Sequence, residues 1–594
     1  MRLLETLAVF ACVLPQAFAI WPRPASLTQG NSTIRIDVAS FYLTPPPSVP
    51  DDLAKAIQRT ETAIRRDRMS PLVVGRGEDR RSAIDAAPTL ETIRIQLGES
   101  NGTAASSSAR NITLKSQILQ PVEEHDEAYE LYIPSDGTPG ILSATSSLGI
   151  LRGLATLEQL FFDVPGAVDA ASDPLNPFND TPSLVNVTAN ATRYMDGVPL
   201  NITDRPAFPW RGLLLDTSRN FFSVPAIERT LDAMAFVKLN MFHWHIVDAQ
   251  SFPLQLPGKL AVLSEKGAYS PDMVYTSDDI AHLVDYAAAR GINVNVEIDM
   301  PGHMYEGVRD YDPSIIVCPN QRDWPSWANE PPSGQIALNN TAAQTFASDL
   351  IAATASLFPS PYFSTGGDEV NLACYNATTP AQIDATLLKP FIESAHDAVV
   401  KAGKRPLVWE EMAINFPETG KSLRNGTIVE AWTSSVNVEA ILKSTNEGVK
   451  LIHAPSDFFY LDCGAGGWLG DAPDRQSWCP FVTWQKSYTF DPFNGTQNIP
   501  NGQARLLGGE AALWSEQADE FSLDGYLWPR AGSAAEVFWT GASYLDAGLS
   551  ASRNVTEALP RLHELRFRLV DRGYAARPLQ PYWCALRPGE CDLV

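Results

Sequence analysis

The chain has 594 residues, 44% hydrophobic and 19% charged, a balance that suits a globular protein of two or more domains with a sizeable buried core. Its formal net charge of −24 repels nucleic acid and anionic membranes, so neither is expected as a partner, and a neutral substrate fits better than a polyanion. Beyond the first residues, no stretch approaches the roughly 18 apolar residues that a membrane span needs.

Residues 1–19 carry Arg2, an apolar run from Leu3 to Leu14 broken only by Glu5 and Thr6, and then Ala17-Phe18-Ala19, a small-x-small cleavage signal. This reads as a secretory signal peptide removed before Ile20, which predicts a secreted, extracellular protein, with a vacuolar destination also open. Its removal takes Cys12 and leaves Cys318, Cys374, Cys463, Cys479, Cys584 and Cys591. An even count in an oxidising compartment predicts three disulfides, with all fifteen pairings open. None of these cysteines forms a Cys-x-x-Cys zinc pattern. Asn-x-Ser/Thr acceptors recur from Asn31 to Asn554, as in a secretory glycoprotein.

Residues 20–205 read as a modest α+β domain. Thr92–Leu97 and Tyr129–Ile133 alternate as half-buried strands, and Ser147–Phe161 is a predicted helix with Leu148, Leu151, Leu154 and Leu157 on one face. Thr44–Ala87 is rich in Pro, Ser and charge and holds the pairs Arg65-Arg66 and Arg80-Arg81. It reads as an exposed linker or basic helix, or as part of a processed propeptide within about residues 20–100.

From Pro206 the pattern becomes strand, loop and amphipathic helix, repeated to the end of the chain. The predicted strands are Gly212–Asp216, Met241–Val247, Asn293–Ile298, Tyr362–Thr365, Pro406–Trp409, Thr427–Ala431, Lys450–His453 and Arg505–Gly508. Eight of them over residues 206–594 predict an α/β fold, a (β/α)₈ TIM barrel with enlarged loops and a C-terminal helix and tail. Polar residues at the C-terminal strand ends should then converge. The first strand leads to Arg219, whose planar donors suit sugar hydroxyls or a structural ion pair. The second carries His243-x-His245, which places two imidazoles on one face like a metal pair, but no coherent further ligand set accompanies it. The fourth leads into Ser-Thr-Gly-Gly-Asp-Glu-Val (364–370). Its adjacent carboxylates repel, so one is expected to hold a proton near neutral pH, the pairing that glycoside hydrolysis needs.

These strand ends resemble those of the family 20 glycoside hydrolases, the β-N-acetylhexosaminidases, which include fungal secreted members. The matching stretches are Arg-Gly-Leu-Leu-Leu-Asp-Thr-Ser-Arg (211–219), Lys-Leu-Asn-Met-Phe-His-Trp-His (238–245), Pro-Gly-His (301–303), Gly-Gly-Asp-Glu-Val (366–370) and Val-Trp-Glu-Glu (408–411). Glu-Ala-Trp (430–432), Tyr-Leu-Asp (460–462), Gly-Gly-Glu-Ala-Ala-Leu-Trp-Ser-Glu (508–516) and Leu-Trp-Pro-Arg-Ala-Gly (527–532) continue the match. Residues 149–160 look like the end of the smaller, zincin-like α+β domain that precedes the family's barrel.

The resemblance implies an exo-acting, retaining enzyme that releases terminal N-acetylglucosamine or N-acetylgalactosamine from an amino-sugar oligosaccharide or glycoconjugate. The substrate's own acetamido group would serve as nucleophile. It assigns the acid/base to Glu369 and the acetamido-orienting carboxylate to Asp368. It places His303 and Asp248 behind Glu369, and Trp409, Trp432 and Trp514 as aromatic walls. Tyr460 would bond the acetamido oxygen, and Arg219, Asp462 and Glu516 would hold the sugar hydroxyls. It also pairs Cys318 with Cys374, Cys463 with Cys479 and Cys584 with Cys591. No metal or cofactor is expected, and the family pattern allows a homodimer and a retained propeptide. Several relatives carry a second acid where this chain has Ala249. The alternative function is a non-catalytic carbohydrate-binding protein on the same fold, which loss of an acid would signal, but both acids are present.

Overall fold

The computed structural model describes residues 20–100, 103–104, 112–165, 192–434, 437–470, 476–541 and 553–592. The expected signal peptide and the acceptors Asn101, Asn111, Asn179, Asn186 and Asn190 lie outside them.

The N-terminal part is a mixed seven-stranded sheet covered by helices. Its strands are β1 (Ser26–Asp37), β2 (Tyr42–Thr44), β3 (Thr92–Leu97), β4 (Tyr129–Ile133), β5 (Gly140–Ala144), β6 (Phe162–Asp163) and β7 (Thr192–Asp204). The order is β1-β7-β4-β5-β3-β2, with β6 also on β7. Helix α1 (Asp51–Arg66) and helix α2 (Ser147–Leu157) cover it. α2 starts where the Ser146 hydroxyl accepts the Gly149 N–H at 2.8 Å. It ends before the predicted Phe161, although Leu160 and Phe161 remain in the same core.

The Thr44–Ala87 stretch is not an exposed linker. Leu53, Ala56, Ile57 and Ile64 recur at helical spacing on α1 and enter that same core. Pro, Ser and charge in the flanking turns concealed this short stripe in the sequence.

The second part is a closed parallel barrel: β8 (Trp210–Asp216), β9 (Met241–Val247), β10 (Asn293–Ile298), β11 (Tyr362–Ser364), β12 (Arg405–Trp409), β13 (Ile428–Ala431), β14 (Lys450–His453) and β15 (Leu506–Leu513). All but the last fall close to their predicted spans. The last was expected to stop at Gly508. Instead β15 runs through Gly508-Gly509, where a Cβ would strike the Trp210 carbonyl at one residue and the His453 carbonyl and Phe538 ring at the next.

Side chains alternate along β9. Phe242, Trp244 and Ile246 join the layer between barrel and helices, whereas Met241 joins Trp210, Tyr362, Leu407, Ile428, Ile452 and Leu507 in an apolar plug at the barrel floor. Buried ion pairs fix the sheet against the barrel: Glu127 lies 2.6 Å from both Arg152 and Arg211, and Lys238 Nζ lies 2.9 Å from Asp204. Arg211 and Lys238 thus spend their place in the matching motifs on the domain interface. Disulfides join Cys318 to Cys374, Cys463 to Cys479 and Cys584 to Cys591. Among the described residues, no helix is long and apolar enough to cross a membrane.

Candidate active site

Strand β11 stops at Ser364 because the following backbone leaves the extended region. Gly366 and Gly367 take φ of 62° and 105°, and Glu369 takes 53°. A Cβ on Gly366 would run into the Asp299 carboxylate, and one on Gly367 would lie 2.8 Å from Met412 Cγ. Asp299 Oδ1 accepts the Gly367 N–H at 2.8 Å and pins the turn. The reversal brings two sequence-adjacent acids, which a regular strand would point to opposite faces, onto one cavity of about 530 Å³.

His303 stands between those acids. Its Nε2 lies 3.4 Å from Glu369 Oε2 and 3.9 Å from Asp368 Oδ2, and its Nδ1 lies 3.1 Å from Asp248 Oδ1. Burial pulls its pKa down, but Asp248, Asp299 and Asp368 outweigh burial and hold the imidazolium well above its ordinary range. Burial raises Glu369, yet the His303 hydrogen bond and charge prevail and leave it below its ordinary value. Asp368 moves the other way, raised by burial with the Glu369 charge adding to it. The two neighbouring acids are thus displaced in opposite directions. The buried Asp368 carboxylate is hydrogen-bonded to the Asp299 carboxyl, which burial and the Asp368 charge raise well above its ordinary range.

The cavity walls come from other strand ends. Trp432 stacks on Tyr460, centroids 6.1 Å apart and planes 10° apart, and its indole N–H donates to Glu411 at 2.9 Å. Trp514 lies 6.1 Å from Tyr460, and the Arg219 guanidinium lies 5.1 Å from the Trp514 ring. Arg219 is held by Asp216 at 3.2 Å, by Asp248 at 2.9 Å and by Glu330. Asp462 accepts the Trp514 backbone N–H at 3.3 Å. Burial pushes Asp462 up to about 7 and Glu516 up to about 8.

Arg219, His303, Asp368, Glu369, Trp432, Tyr460, Asp462, Trp514 and Glu516 all line the cavity, but Trp409 and Asp248 do not. Trp409 ends β12 pointing into the barrel, 6.1 Å from the His243 ring and behind Trp432 and Trp514. Asp248 turns toward His245, His303 and Arg219. These two back the wall rather than form it.

The sequence reading passed over Asn329, Glu330, Trp468 and Trp478, which also line the cavity. Glu330 sits in a loop with no periodicity or motif to mark it. Glu411 lies inside the recognised stretch 408–411 and Asp299 directly follows the predicted strand Asn293–Ile298, so an acid at a strand end is the signal that points to them. The His243-x-His245 pair is fully buried, and Glu297 sits between its members, Oε1 2.6 Å from His245 Nδ1 and Oε2 3.2 Å from His243 Nε2.

A family model described as glycosyl hydrolase family 20, catalytic domain, matches residues 208–542, and one described as beta-acetyl hexosaminidase like matches residues 20–160. The chain is 35% identical over 535 residues to the chitooligosaccharidolytic beta-N-acetylglucosaminidase of Bombyx mori, covering 86% of this chain and 82% of that one. It is 32% identical over 656 residues to a beta-hexosaminidase of Arthroderma benhamiae, covering 97% of each. In fold it is similar to the solved GH20 beta-N-acetylhexosaminidase of Streptomyces coelicolor, with a TM-score of 0.67 and 22% identity over 95% of this chain and 98% of that one.

Proposed function

Because this chain belongs to glycosyl hydrolase family 20 and is a glycoside hydrolase of the β-N-acetylhexosaminidase type, we propose that it removes terminal, non-reducing N-acetylglucosamine or N-acetylgalactosamine with retention. Chitooligosaccharides or glycoconjugates are the proposed substrates, and the relative named for chitooligosaccharide breakdown supports the first. In this reading the substrate's acetamido oxygen attacks C1 while Glu369 gives its proton to the departing glycosidic oxygen. Glu369 then takes a proton from the water that adds to C1. Asp368 accepts the acetamido N–H and faces the positive charge of the oxazolinium intermediate.

The observation that carries the reading is the placement of Asp368 and Glu369, with His303 between them, on one cavity walled by Trp432, Tyr460 and Trp514. Asp368 faces that cavity and would accept an amide N–H from the sugar. The low position of Glu369 in the protein alone reflects the His303 imidazolium 3.4 Å away. Arg219, Asp462 and Glu516 would close the pocket around one terminal sugar. The exposed acceptors Asn31, Asn201, Asn339, Asn376, Asn425, Asn494 and Asn554 support a secreted glycoprotein.

Glu369→Gln is expected to lower kcat on chitobiose by about 10²–10⁴-fold with the fold intact. Asp368→Asn should slow 2-acetamido substrates severely. Near-normal turnover by E369Q would remove Glu369 from the acid role. Sugar binding without turnover by the native protein from pH 3 to pH 8 would replace the enzyme with a carbohydrate-binding protein.

A further inference from the structure

Above its apolar floor the barrel interior is charged. His243 and His245 from β9, Glu297 from β10, Glu430 from β13 and Glu510 from β15 are all fully buried. They join end to end with the pocket. Asp248 Oδ1 meets His303 Nδ1 at 3.1 Å, and Asp248 Oδ2 meets His245 Nε2 at 2.8 Å. His245 Nδ1 meets Glu297 Oε1 at 2.6 Å, Glu297 Oε2 meets His243 Nε2 at 3.2 Å, and His243 Nδ1 meets Glu510 Oε1 at 2.7 Å. With the His303–Glu369 contact, carboxylate and imidazole alternate at ion-pair distances from Glu369 to the middle of the barrel.

Burying charges is costly even when they are paired, and apolar side chains fill the barrel layer below. Packing alone gives no reason for this chain. We propose that His245 is a positioning residue for the hydrolysis: its positive charge, held by Glu297, acts through Asp248 and His303 to set the protonation of Glu369. This rests on Glu369 being the acid/base.

The surroundings of His245 fix the sign of the effect. Glu297 faces it from β10, Asp248 from the end of its own strand, and the Trp514 ring edge from beyond β15 at 4.9 Å. Arg219 and His303 carry the other positive charges on Asp248, while His243 and the Ser364 hydroxyl contact Glu297. Asp216 and Glu330 sit on Arg219, and Asp299 and Asp368 sit beside His303. Burial pulls His245 down, but Asp248 and Glu297 raise it to about 9, so it is charged across the working range. Glu430 is driven neutral by burial and by Glu510, which ends the chain on a proton rather than on a charge. Removing the His245 charge leaves its two carboxylates less compensated, and every neighbouring acid then holds its proton to higher pH.

The test is the pH dependence of kcat/KM on an aryl 2-acetamido-β-glucoside for wild type, His245→Gln, His245→Asn and the double variant H245Q/E297Q. The single variants should move the alkaline limb upward by about half to one pH unit. The double variant removes a carboxylate together with the imidazolium, so its limb should return close to wild type. A single variant that folds, loses rate equally at all pH and keeps both limbs in place overturns the proposal. If neither single variant accumulates as folded protein, the double variant carries the test, and a displaced limb overturns it. E369Q run in parallel separates the two readings: if it keeps the wild-type alkaline limb, Glu369 is not the acid, whatever His245 does.

Discussion

Asp368 and Glu369 show how little of a site's geometry a dipeptide contains. Their adjacency was legible, and so was the need for a turn, because two glycines precede them. What made the turn effective was a partner 67 positions away in the chain, Asp299, packed so closely that Gly366 has no room for a side chain. Gly366→Ala, at a φ of 62°, is expected to cost about 1–3 kcal/mol of stability and to lower kcat at least ~10-fold as the acids shift. Chemical denaturation and steady-state rates measure the two effects, and wild-type values for both would show that the turn tolerates a Cβ. The backing position of Trp409 was hidden for a related reason. Trp409 sits in a recognised stretch beside residues that line the cavity, and nothing in the sequence distinguishes a side chain in the wall from one behind it. Only the inward or outward turn of each strand end makes that distinction.

At the scale of elements, the N-terminal segment gives the clearest lesson. Thr44–Ala87 reads as an exposed linker or basic helix, or as part of a propeptide, yet it holds α1 behind the strands β1 and β2. Trp21 is fully buried, its indole N–H donating to the Gly532 carbonyl at 2.7 Å, and β1 pairs with β7 along Ser26–Asp37. Cleavage at Arg65-Arg66 or Arg80-Arg81, where Arg66 and Arg81 are exposed, would therefore leave a piece held by a strand ladder and a helix face. We expect protein nicked at Arg66 to elute as one species on gel filtration and to separate into two only in denaturant. A small fragment eluting alone under native conditions would count against retention. The barrel strands were legible because apolar runs bounded by polar ends repeat eight times. β15 was misjudged because glycines required by close backbone approach look, in sequence, like glycines required by a turn.

For the whole molecule, buried titrating groups set the pH range of stability. Burial raises Asp462 to about 7, Glu516 to about 8 and Asp571 to about 7, whereas unfolded carboxyls ionise near ~4. His245, raised to about 9, adds in the same sense above ~6.5. His396 and His453, which burial lowers to about 3 and about 4, act in the opposite sense below ~6.5. The raised groups outnumber them, so between about pH 4.5 and 8 the native state binds more protons than the unfolded chain and stability falls as pH rises. In the opposite sense, Arg211 and Arg152 outweigh burial and hold Glu127 down at about 2, so its contribution is lost as pH falls from ~4.5 toward 2. Thermal unfolding should thus show a higher Tm near pH 5 than near pH 8, and a Tm that is flat or rising over that interval would contradict it. The sequence by itself determined the barrel, the domain that precedes it, the paired acids and the family, because hydrophobic periodicity and short motifs are local and survive in one dimension. Only the tertiary structure decided that α1 belongs to a core, that Glu330 ties Arg219, that Trp409 stands behind the wall, and that carboxylates and imidazoles from β9, β10 and β15 connect into one chain. Those facts depend on distances between residues far apart in sequence, which only the closure of the barrel brings within hydrogen-bonding reach.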